Sequence, residues 1–103
     1  MRVMVKFWFP NAEGNELTAS GKIGQIFQQL AEDLKPEAAY FYPDDGERAG
    51  HFIVDVTTGA DVALTCERLF HGLHAKVELV PVMTAEDLQM ALSGLGAVAT
   101  RYA

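Results

Sequence analysis

His51 stands at the head of the stretch "HFIVDV", and an imidazole can take or give a proton near neutral pH without help from its surroundings. Two further residues complete a candidate acid–base set. Asp55 closes the same stretch and Tyr40 lies in the preceding "AAYFY". A carboxylate raised by burial can serve as a base beside such a histidine, as could Glu78. A second group suits binding rather than turnover. Trp8, Tyr40 and Tyr42 offer an aromatic wall, Lys6 and Glu78 polar anchors, and Arg48 a fork that fits a carboxylate.

The same residues have plainer uses. His51 can be a loop-edge histidine open to water, and Trp8 and Tyr40 can be aromatics of a dimer core. If strands one and three pair so that Asp55 meets Lys6, with Glu78 on the other side, the three charges form either ligand anchors or an ion-pair ladder at a seam. Glu37 and Arg48 flank the second strand and can pair with each other, a surface contact worth about 0–1 kcal/mol.

Other candidate chemistry carries less. His71 and His74 make a lone HxxH without a third ligand nearby, so no metal site is expected. Cys66 falls on an apolar helical stripe and reads as a small core residue. "SGKIG" at Ser20–Gly24 lacks the spacing of a phosphate loop, and Ile23 stands where Ser or Thr should meet magnesium. No cofactor is expected.

The elements that must position these residues follow from periodicity. "RVMVKFWF" (2–9) alternates Val3, Val5, Phe7 and Phe9 against Arg2, Met4, Lys6 and Trp8, which predicts a strand. "PNAEGN" reads as a break. Ile23, Ile26, Phe27, Leu30 and Leu34 form a helical stripe within Thr18–Leu34, ended by Pro36. "AAYFY" predicts a short strand, "PDDGERAG" a loop, and "HFIVDV" the returning strand of a hairpin. Thr58 with Asp61 makes a capping box for a second helix carrying Val62, Cys66, Leu69, Phe70 and Leu73. "AKVELVPV" predicts a fourth strand. Thr84 with Asp87 opens a last helix with the stripe Leu88, Leu92, Leu95 and Ala99.

Strand, helix, strand, strand, helix, strand, helix is the order of a ferredoxin-like split βαβ fold: α+β, with a four-stranded antiparallel sheet in order 4-1-3-2 and an added carboxy-terminal helix. Residues 1–103 form one domain in this reading, with no repeat or linker. The crossover helices cover the Val3, Val5, Phe7, Phe52, Val54, Val56, Val77 and Leu79 side. The other side collects Met4, Lys6, Trp8, Tyr40, Tyr42, His51, Ile53, Asp55, Lys76, Glu78, Val80 and Val82. An uncovered sheet face should be polar, and this one is mixed. It therefore calls for a partner, either a second copy or the last helix folded back.

Composition narrows the partners. Half of the 103 residues are apolar, and the formal net charge is -6 with eight basic residues scattered along the chain. No basic block exists to neutralise phosphates, so nucleic acid is not an expected partner. An acidic surface disfavours anionic membranes, and no apolar run is long enough to cross one. A lone cysteine without a signal-like start is the pattern expected of a cytoplasmic protein.

The segments "KPEAAYFYPDDGERAGHFIVDV" and "ERLFHGLHAKVELVPVMTAEDL", with Gly14–Asn15, Lys35–Phe41, Gly46–Arg48 and Pro81–Leu88 as the matching points, resemble an uncharacterised family of small bacterial proteins of the dimeric α+β-barrel type. Glu67–Arg68 departs from the Glu-Pro of that pattern. The resemblance implies a ferredoxin-like homodimer with facing sheets and implies no activity. The wider superfamily includes cofactor-independent oxygenases, isomerases, haem-handling enzymes and non-catalytic modules. Two functions are thus expected: a homodimer that holds a small, partly aromatic ligand in the sheet cleft, or a cofactor-independent oxygenase or isomerase that uses His51.

Overall fold

Val3, Val5, Phe7 and Phe9 point to one side of β1 (Arg2–Phe9), because successive strand side chains alternate between faces. The computed structural model describes all 103 residues, Met1–Ala103, and buries these four while Arg2, Met4, Lys6 and Trp8 stay half-buried. The chain continues through α1 (Asn11–Ser20), α2 (Lys22–Leu34), β2 (Ala38–Asp44), β3 (Glu47–Asp55), α3 (Gly59–Leu73), β4 (Lys76–Pro81) and α4 (Ala85–Arg101). The strands form one antiparallel sheet in the order β2-β3-β1-β4. The architecture is α+β: a four-stranded antiparallel sheet with four helices.

The core lies on one face of that sheet. Phe7, with no exposed surface, stacks on Phe52 at a ring-centroid distance of 5.2 Å and meets Phe27 of α2 at 6.3 Å. Leu30 of α2 and Leu69 and Leu73 of α3 close over Val5, Val54 and Val56. The buried face of α3 differs slightly from its apolar stripe: Thr65 is buried with Leu69 and Leu73, while Phe70 is 43% exposed. Cys66 sits at the edge of that face, where burial pushes its thiol up.

Two expectations about loops are overturned. Residues 10–15 are not a break, since α1 starts directly after Pro10 and Gly14 N–H donates to the Pro10 carbonyl at 2.9 Å. "NAEGNELTAS" has no apolar stripe, so periodicity does not reveal it. What holds it is close approach: Gly14 is buried, and a Cβ there would lie 2.8 Å from Arg48 Nη1 and 3.1 Å from Phe9 Cε2. The long hairpin loop is also mostly strand. Asp45 (φ 51°) and Gly46 (φ 76°) alone make the turn, and Asp44 faces Glu47 across it. A two-residue Asp-Gly turn with both φ positive matches the twist of the flanking strands, so pairing runs on to the turn.

Both predicted capping boxes are present. Thr58 Oγ1 accepts from Asp61 N–H at 3.2 Å while Asp61 accepts from Thr58 N–H at 3.0 Å, and Thr84 and Asp87 do the same at 3.1 and 3.0 Å. These backbone N–H donors, above all those of Thr58 and Thr84, hold both aspartates below the ordinary carboxylate value.

The last helix does not fold back over the sheet. No residue of α4 is buried, and its ion-pair contact to the body is Arg2 Nη1 to Asp87 at 4.0 Å. The radius of gyration is 17.1 Å and the longest extent 58 Å, against roughly 13 Å for the radius of a close-packed chain of about 100 residues. The excess is the projecting helix.

Gly50 sets the packing around Phe7. It faces Phe7 on β1 and Phe41 on β2, and a Cβ there would lie 2.5 Å from the Tyr40 carbonyl oxygen and 2.8 Å from Phe7 Cζ. Gly50→Ala is expected to destabilise the protein by about 1–3 kcal/mol in urea titrations. Gly24→Ala, where a Cβ meets nothing within 4 Å, is expected to stabilise it by about 0.5–1 kcal/mol. A neutral Gly50→Ala would contradict the packing described.

Candidate functional site

On the face away from α2 and α3, Trp8 is the centre. Its register partner on β3 is Ala49, small enough for the indole to pass across β3, and Trp8 Nε1–H donates to Asp44 Oδ2 on β2 at 2.8 Å. The ammonium groups of Lys6 and Lys76 stand 5.2 and 5.4 Å from the indole centroid, a cation–π arrangement from two sides. Beside it, Tyr42 Oη lies 2.9 Å from His51 Nδ1, and the Tyr40 ring is 5.3 Å from the imidazole. Tyr40 is 59% exposed; Trp8, Tyr42 and His51 are half-buried.

The candidate catalytic set is only partly assembled. Tyr40 and His51 are register partners, so those two meet. Asp55 does not join them. It faces Arg2 rather than Lys6, and its carboxylate takes the amino terminus of Met1 at 2.8 Å. Pairing runs four residues away from the expected register because Lys6 lies opposite His51, which places Asp55 at the far end of the sheet. Glu78 is the register partner of Lys6 on β4, yet the chain's ion pairs do not include them. The Lys6 ammonium turns to Trp8, and no ion-pair ladder forms.

The candidate ligand set divides between the two faces. Arg48 shares its alternation with Gly50, Phe52 and Val54 and therefore lies on the helix side, away from Trp8, Lys6 and Glu78. It does not pair with Glu37 either. Glu37 binds Arg2, beyond the opposite end of β2.

Arg48 lines a cavity of about 920 Å³ between α1, α2 and the β2–β3 hairpin. Phe9, Ile23, Phe27 and Phe41 form its apolar wall, with Asn11 and Asn15 at its α1 side. Phe41 meets Phe27 edge-on at 5.0 Å and is 57% exposed on its free side. The Asn11 side chain donates to the Gly46 carbonyl at 3.0 Å and ties α1 to the hairpin turn. None of the chain's side-chain hydrogen bonds or ion pairs reaches the Arg48 guanidinium. Sequence reading missed this cavity because α1, which forms one wall, has no stripe to announce it. The Gly14–Asn15 pair and the Asp-Gly turn were its available signals.

His71 Nε2 faces Glu67 Oε2 on its own helix at 3.0 Å, and His74 is the left-handed residue (φ 52°) that ends α3. A second hollow, of about 620 Å³, is lined by Lys35, which has no ion-pair partner, and by Met1, Arg2, Glu37, Asp55 and Asp87, whose charges pair with one another.

No protein-family model matches the chain, and no curated protein matches it. Among solved structures it is similar to the de novo designed protein Ferredog-Diesel, with a TM-score of 0.48 and 14% sequence identity, over 79% of this chain and 85% of that one. No helix is long and apolar enough to cross a membrane.

The bond from Trp8 to Asp44 ties β1 to β2 across β3 and generates a direct test. Trp8→Phe removes the donor and is expected to cost about 1–2 kcal/mol of unfolding free energy, since hydrogen bonds to charged groups exceed neutral ones. Asp44→Asn keeps an acceptor and is expected to cost less than Trp8→Phe. Equal stability of Trp8→Phe and the parent in urea titrations would remove this bond from the account.

Proposed function

We propose that the protein works as a homodimer of the dimeric α+β-barrel type, with two ferredoxin-like subunits opposing their open sheet faces and holding a small, partly aromatic ligand between them. The observation that carries this reading is α4. A 17-residue helix with Gly94 and Gly96 in its interior and no buried residue lacks the tertiary packing that stabilises helices of this length in water. Each interior glycine costs about 1 kcal/mol relative to alanine. The helix needs a partner surface.

A second copy supplies one. Leu88, Leu92, Leu95, Ala99 and Tyr102 recur at alternating spacings of four and three, the seam spacing of a helix that packs on another element. The root of α4 lies beside Arg2, on the open side of the sheet. Unfilled face and uncovered helix therefore occur on one side of one chain, and a two-fold axis can satisfy both at once. Burial of Met4, Trp8, Ile53, Val80 and the α4 leucines contributes about 1.5–3 kcal/mol per side chain at best, of order 10 kcal/mol per subunit. That is comparable with the roughly 4–15 kcal/mol lost on association. Between such sheets, Trp8, Tyr40 and His51 would wall a cleft suited to an aromatic body.

The Tyr42–His51 contact favours a second reading, a cofactor-independent oxygenase or isomerase. A phenol on Nδ1 orients the imidazole and leaves Nε2 to work on a substrate proton. In that case His51→Ala abolishes turnover and leaves folding intact, whereas a binding module keeps its ligand in His51→Ala and loses it in Trp8→Ala.

Hydrogen exchange along α4 tests the dimer. Its amides are expected to stay protected through the micromolar range and to lose protection in Leu92→Glu. Exchange at the rate of a free peptide helix at every concentration would exclude a partner for α4.

A further inference from the structure

We propose that the cavity on the helix side binds a small organic acid: a flat, apolar body laid against the Phe27 and Phe41 rings, with its carboxylate on Arg48. This site is separate from the sheet face, lies within one chain and does not depend on dimerisation.

Charge carries the first part of the argument. Arg101 lies exposed on α4, while Arg2 and Arg68 each find a carboxylate within the molecule. Arg48, half-buried against Gly14 and Phe9, does not. Glu47, its neighbour, alternates to the opposite face of β3 and contributes only to the rim. No nitrogen of Arg48 is both buried and unpartnered, so the guanidinium is open to a ligand, and a planar carboxylate meets its fork with two parallel bonds.

Shape carries the second part. The cavity volume of about 920 Å³ falls in the range of roughly 300–1,000 Å³ typical of small-molecule sites, which combine apolar walls with few polar groups. Phe27 stands edge-on to Phe9 at 6.3 Å and to Phe41 at 5.0 Å, and the exposed side of Phe41 gives a ring-sized apolar surface with nothing on it. Asn15 at the rim is exposed, and its amide has no hydrogen-bond partner in the chain and is free to donate to a ligand. The absence of a side chain at Gly14 leaves room for the guanidinium, since a Cβ would stand 2.8 Å from Nη1.

Titration with 2-naphthoate and with its neutral isostere 2-naphthamide, followed by amide NMR shifts, tests the proposal. Naphthoate is expected to move the amides of Gly14, Phe41 and Arg48 and to bind at least about tenfold more tightly than naphthamide, the scale of a charge-assisted hydrogen bond. Arg48→Gln is expected to erase that preference, and Arg48→Lys to retain part of it, because a point charge replaces the fork. The comparison of acid with amide on the parent protein needs no variant, so it decides even if Arg48→Gln unfolds. Equal binding of the two probes, shifts confined to Trp8, His51 and Lys76, or no shift at on the order of 1 mM naphthoate would each overturn the proposal. Inorganic phosphate that displaces naphthoate at equal concentration would overturn it too, since the site would then read charge alone. A monomeric mass would leave this test untouched.

Discussion

Phe7 lies over Gly50, and the rest of the structure is arranged around that contact. With no exposed surface, Phe7 has Phe9, Phe27, Phe41 and Phe52 within 6.4 Å ring to ring. The close approach is possible only because β3 carries no Cβ at that point. Once Phe7 is committed to this side of β1, alternation sends Lys6 and Trp8 to the other. One sheet therefore has two unlike surfaces. The first is a dry aromatic core under α2 and α3. The second is a half-buried layer in which Trp8 is held by Asp44 and flanked by two ammonium groups.

The two surfaces leave two needs unmet, and the needs differ in kind. The aromatic core runs past its own helices at Phe41, where α1 and the hairpin leave a hollow with one unpaired cation. A small molecule can fill such a space. The open face and α4 are extended and apolar in patches, and their satisfaction takes something of the size of another subunit. A helix whose interior contains Gly94 and Gly96 and which has no buried residue adds little core packing to a single chain.

Much of the fold was legible in the sequence, and the reasons are specific. β1 shows because its alternation is unbroken over eight residues. The starts of α3 and α4 show because Thr58–Asp61 and Thr84–Asp87 are capping signatures with a local physical cause. What was not legible depends on tertiary contact. α1 has no stripe and is held by the fit of Gly14 against Arg48. Residues 43–50 read as a loop because their polar side chains hide strands that pair up to the Asp45–Gly46 turn. The strand register, which decides that Lys6 meets His51 and Asp55 meets Arg2, is set by how the hairpin and core pack, and no single strand contains it. That register also decided the candidate site. His51, Tyr40 and Tyr42 were brought together, while Asp55 and Arg48 were sent to places that type and spacing did not reveal.

In the proposed homodimer, a second copy closes the open face and the projecting helix that one chain leaves uncovered. Light scattering behind a sizing column tests it most directly. The account predicts a mass near twice 11.3 kDa that holds on dilution through the micromolar range. A mass of 11.3 kDa, with a scattering radius of gyration near the 17.1 Å of the extended chain, would contradict it, because the uncovered face and helix would then be stable in water alone.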